Sequence, residues 1–120
     1  WSKRFGTTTT FGIGGKALAF DDAGNIALTG SISGNVDLGN GVLSRASVLP
    51  YLAKFSSQGT AVWSKRFTGA YSDDGNGVAI DSNGYVSFAG DFYESVNLGT
   101  GLLESPWPTD VDGFVGRYTP

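Results

Sequence analysis

A chain of 120 residues with 40% apolar content suffices for one small core, but 19 glycines argue against a helical protein, since each interior helical Gly costs about 1 kcal/mol against Ala. The net charge of −3 gives no basic footprint for nucleic acid, and the absence of Cys and His removes disulfides, thiolate nucleophiles, zinc–thiolate sites and imidazole acid–base chemistry. No apolar run approaches the roughly 18 residues of a membrane-crossing helix, and without Met the sequence reads as a processed product or a segment of a longer protein.

In chain order, the stretch WSKRF at residues 1–5 reads as an edge strand whose two cations face solvent. GIGG at residues 12–15 lacks the signature of a phosphate loop and reads as a flexible lead-in. KALAF (16–20) and NIALTGSI (25–32) are strands of β-branched and apolar residues joined by DDAG, a turn that starts on Asp and places Gly where positive φ is needed. YLAKFS (51–56) is a third strand, and SQGT turns the chain into a fourth, AVWSKRF (61–67). The same order then recurs: GVAI (77–80), DSNG, YVSFAGDF (85–92) and GFVGRYT (113–119).

The recurrence is a repeat. Trp1 to Trp63 is an offset of 62, residues 17–43 match 77–103 at 60, and residues 53–56 match 116–119 at 63. Changing offsets place insertions and deletions in loops between the matched blocks. The expected fold is all-β: a β-propeller unit of two four-stranded antiparallel blades, approximately residues 1–62 and 63–120, circularly offset with the outer strand of one blade at the N-terminus. ALAF and GVAI are apolar on both faces, as in sheets covered on both sides, and Ala17, Ala19, Gly77 and Ala79 are small enough for a crowded axis. Trp1 and Trp63 are expected to pack between blades. The competing fold is a two-sheet sandwich. Propellers have about four to eight blades, so two predict either a larger parent ring or self-association, with three chains giving six blades and four giving eight.

Three motifs carry a resemblance that covers nearly the whole chain. Asp112-Gly113-Phe114-Val115-Gly116-Arg117-Tyr118, Trp63-Ser64-Lys65-Arg66-Phe67 and the segment 77–92 resemble the bacterial β-propeller repeat family, and NVDLGNG from Asn35 resembles the segment after its second strand. The resemblance implies secreted or surface-exposed arrays, hence an extracellular or cell-envelope setting. Repeat 1 departs from the pattern: no Asp-Gly precedes YLAKF, and TTTTFGIGG replaces the acidic loop of repeat 2.

Antiparallel blades bring the loop after the second strand and the loop leading into the next blade to one rim. That rim is expected to carry Tyr71, Asp73, Asp74, Trp107, Asp110 and Asp112 from repeat 2, against Phe11, the run Thr7 to Thr10 and Arg45 from repeat 1. Trp107, between Pro106 and Pro108, is a stiffly held ring beside carboxylates, suited either to stacking on a sugar or to covering the blade edge. DVDG and SDDGNG raise calcium, but no bidentate Glu completes the loop pattern, so no metal site or cofactor is expected. Only Glu94 and Glu104 are glutamates, and no separated carboxylate pair suggests glycoside hydrolysis. The expectation is a non-catalytic binding or scaffold module with a glycan or protein ligand. The alternatives are a lectin using Trp107 and a fragment of a larger propeller hydrolase.

Overall fold

The computed structural model describes residues 1–6, 12–44, 47–70, 72–107 and 109–120. Tyr71, Phe11, Thr7 to Thr10 and Arg45 lie outside the described residues, as does Pro108.

Every element among the described residues is a strand: β1 (Ile13–Phe20), β2 (Ile26–Ile32), β3 (Val36–Asp37), β4 (Val42–Leu43), β5 (Leu49–Phe55), β6 (Ala61–Arg66), β7 (Thr68–Gly69), β8 (Asp74–Ile80), β9 (Val86–Tyr93), β10 (Ser95–Asn97), β11 (Leu102–Glu104) and β12 (Val111–Tyr118). Four of them form an antiparallel sheet in the order β1-β2-β5-β6, and β12-β9-β8 forms a second sheet. Two small accessory sheets, β3-β4 and β11-β10-β7, lie beside them. The turns between the first two strands of each repeat close alike. Asp21 Oδ1 accepts the Ala23 and Asn25 amides at 3.0 and 2.8 Å, and Asp81 Oδ1 accepts those of Asn83 and Tyr85 at 2.9 and 3.0 Å. The Asn25 side chain also bonds Asp21 and, with those amides, holds its carboxyl below the ordinary Asp range.

The sheets pack face to face, with β8 against β1, β2 and β5. Between them Ala27 and Leu52 of the first sheet meet Val86, Phe88 and Phe114 of the second in one buried cluster. A second cluster, including Ile32, Tyr51 and Phe55, fills the other face of the first sheet under Val36 and Leu38 of the β3-β4 hairpin.

Several expectations need correction. Residues 1–6 form no strand, and the second sheet has three strands, so the described residues hold one four-stranded and one three-stranded blade-like sheet that close no ring. A strand exists only where a neighbouring edge supplies hydrogen bonds. The N-terminal stretch lies instead against the β5-β6 turn, where Trp1 Nε1–H donates to the Ser57 carbonyl at 2.9 Å and Phe5 stacks on Phe55 at 5.5 Å. Trp1 is therefore 65% exposed, whereas Trp63 packs between the sheets, 6.4 Å from the Tyr118 ring. The GIGG stretch is also no loose lead-in, since Ile13, Gly14 and Gly15 pair with Ile32, Ser31 and Gly30.

Candidate ligand-binding rim

One end of the second sheet gathers the start of β8, the end of β9 and the start of β12: Asp74 pairs with Asp91, Asp112 with Phe92 and Val111 with Tyr93. The ends of β1 and β2 beside it are joined by Ile13 opposite Ile32. Each innermost strand carries a bulge here, between Gly15 and Ala17 in β1 and between Gly75 and Gly77 in β8. A bulge sets one extra residue out of the ladder and re-aims its side chain. The residues so set out are Lys16 and Asn76, and they meet: Lys16 Nζ donates to Asn76 Oδ1 at 3.1 Å and pairs with Asp74 Oδ2 at 2.7 Å. Asn76 Nδ2 in turn donates to Asp91 Oδ1. This polar chain links the two repeats across their inner strands.

The bulges need glycine opposite them. A Cβ at Gly90 would overlap the Asp74 carbonyl oxygen, and one at Gly30 would overlap that of Gly14. At these two positions close backbone approach leaves no room for a side chain.

The expected rim residues separate into three groups. Asp73 is fully buried and takes no part in the rim surface. Its Oδ1 accepts the Tyr93 amide at 3.0 Å, while Oδ2 has no hydrogen-bond partner. Burial pushes its carboxyl up to about 6; the Tyr93 bond opposes this and the neighbouring Asp91 and Asp74 charges add to it. Asp74 is occupied by Lys16. Among the described residues, Trp107, Asp110 and Asp112 remain to face a ligand, Asp110 exposed and Asp112 half-buried. Trp107 is 67% exposed, and its backbone is pinned because its carbonyl accepts both Ser105 Oγ at 2.9 Å and the Asp110 amide at 3.1 Å. Its ring is thus largely open to solvent. Among the described residues no three acidic side chains converge on a common point suited to a metal ion.

Lys16, Asn76 and Asp91 escaped the sequence reading. The signal was present in Gly14-Gly15 and Gly75-Asn76-Gly77, glycine pairs inside strands, which mark bulges.

No protein-family model matches the chain. The chain is 28% identical over 117 residues to an uncharacterized WD repeat-containing protein of Acanthamoeba polyphaga mimivirus, covering 84% of this chain and 8% of that protein. This likeness and the two packed four- and three-stranded sheets point together to a β-propeller-type repeat. No helix among the described residues is long and apolar enough to cross a membrane.

Proposed function

We propose that the chain is a non-catalytic β-propeller-type module that binds a macromolecular partner through the loop end bearing Trp107, Asp110 and Asp112. The observation that carries this reading is the exposed, backbone-anchored indole of Trp107, a ring free to stack, with the acidic residues Asp110 and Asp112 following in the same loop and the start of β12. A non-catalytic role is supported by the state of the adjacent acids, since Asp73 is buried and Asp74 is held by Lys16, which removes both from a general acid–base pair. The likeness to a WD repeat-containing protein supports the propeller frame. Completion of a ring by further copies belongs to the same reading, and the extracellular or cell-surface setting rests on the repeat resemblance alone.

Trp107 also favours a second reading, a lectin that stacks a sugar on the indole. A printed glycan array probed with the wild type and with Trp107→Ala separates the two. A lectin gives array signals that fall severalfold or more in the variant, as loss of a stacked ring forfeits its buried area and about 0.5–1.5 kcal/mol besides. A protein-binding scaffold gives no glycan signal with either form. Turnover of a nitrophenyl glycoside panel above the uncatalysed rate would overturn the non-catalytic reading.

A further inference from the structure

The two sheets expose faces that are counterparts of each other. In the internal joint, the first sheet presents Ala27, Thr29 and Leu52, all fully buried. The repeat offsets make Ser87, Ala89 and Val115 their counterparts on the outer face of the second sheet, where Val115 is 75% exposed. The second sheet receives Leu52 among Phe67, Val86 and Phe88. The counterparts of these three are Phe5, Ile26 and Leu28, which line a pocket of about 160 Å³ on the outer face of the first sheet, next to Leu18 and Phe20 at 57% and 61% exposure. One molecule thus carries both halves of its own internal joint, each facing outward.

The strand edges repeat the relation. β6 pairs with β5 through its backbone, yet Phe67, just past its end, stacks on Phe88 at 4.8 Å and lies tilted against Tyr118 at 5.6 Å, both of the second sheet. Phe5 already makes the matching contact with Phe55, the counterpart of Tyr118, while the outer edge of β12 has no strand on it among the described residues. Gly39 abuts Ala61 of β6, whereas its counterpart Gly99 has open space around it. A cleft of about 600 Å³ runs there, lined by Asn97, Thr100, Arg117 and Tyr118 among others.

We propose that this chain associates head to tail with a second copy of itself, Val115 of one copy seating in the Phe5–Ile26–Leu28 pocket of the other, whose residues 1–4 add as the fourth strand on β12. The register follows from β5 and β6, where Tyr51 faces Arg66 and Leu52 faces Lys65. It sets Phe114 opposite Arg4 of the second copy, Val115 opposite Lys3, Gly116 opposite Ser2 and Arg117 opposite Trp1. The contact is heterologous, so each added copy leaves the same two faces open until a ring closes. The inference rests on the propeller-type reading.

The chain has no cysteine, so Lys3→Cys and Val115→Cys introduce the sole thiols, both at exposed positions. Directly opposed residues of an antiparallel pair lie within disulfide reach. The two variants, one carrying a size tag, are oxidised separately and mixed, and the wild type is weighed in solution by light scattering. The expected result is a wild-type mass at least twice that of the monomer, with a tagged–untagged disulfide formed many-fold faster in the mixture than in either variant alone. A wild-type monomer at 100 μM overturns the proposal, as does preferential coupling of Val115→Cys to itself, the mark of a two-fold contact. Far-UV circular dichroism of both variants checks that the strands persist. Glycan or partner binding that depends on Trp107 is read separately, so a monomer that still binds through Trp107 overturns the association and leaves the rim intact.

Discussion

Asp73 shows how a single side chain in an acidic stretch takes a structural role. Its carboxyl titrates at about 6 when folded against an ordinary 3.8, so the folded protein holds a proton that the unfolded chain releases between those values. Stability therefore falls as pH rises from about 4 to 6, and the cost of the buried charge is fully present above 6. Asp73→Asn keeps an acceptor for the Tyr93 amide and removes that charge. Urea unfolding at pH 7 is expected to show the variant more stable by about 1–2 kcal/mol once solvent screening is allowed for, and its midpoint should stay flat between pH 4 and 6 where the wild type declines. An unchanged wild-type midpoint across that range would show the carboxyl to be solvated. Nothing in SDDGNG distinguishes the first Asp from the second, because burial here depends on Gly69 and Tyr93, which the fold alone brings together.

At the scale of the strand, β6 is the element that makes the repeat cohere. Its backbone belongs to the first sheet, while Trp63 and the following Phe67 belong to the core of the second. Phe67 is 4% exposed, so Phe67→Ala is expected to cost about 3–5 kcal/mol in chemical denaturation. Phe5→Ala, at the same repeat position but only half-buried, should cost about 1 kcal/mol in the monomer. Equal losses would mean that the two WSKRF stretches are equally packed. The seven long strands were legible because apolar and β-branched runs lie between Asp-x-x-Gly and Gly-bearing turns, and the Trp-Ser-Lys-Arg-Phe repetition showed which strands correspond. The β3-β4 and β10-β11 hairpins were not, since strands of two or three residues are too short to show alternation. Pairing of the N-terminal stretch was not legible either, because sequence gives a strand's propensity but not the edge beside it.

The whole molecule behaves as a unit with two unsatisfied faces. If copies associate through them, native state and assembly are linked by mass action, and the melting temperature must rise with protein concentration. Scans between about 1 and 100 μM should show an upward drift of several degrees in the wild type. A variant with Val115→Arg, which sets a charge on one face only, should melt at a temperature independent of concentration. A concentration-independent wild type would mean that the exposed Leu18, Phe20 and Val115 are tolerated in an isolated monomer.

Because every repeat carries both surfaces of the same joint, a tandem duplication of the coding segment creates a new interface that is already fitted on both sides. Copy number is then free to change without compensating substitutions, and selection on novelty falls on the connecting loops. The loop that holds Trp107 fits this pattern: its strands have close counterparts in repeat 1, whereas no aromatic residue stands at its place there.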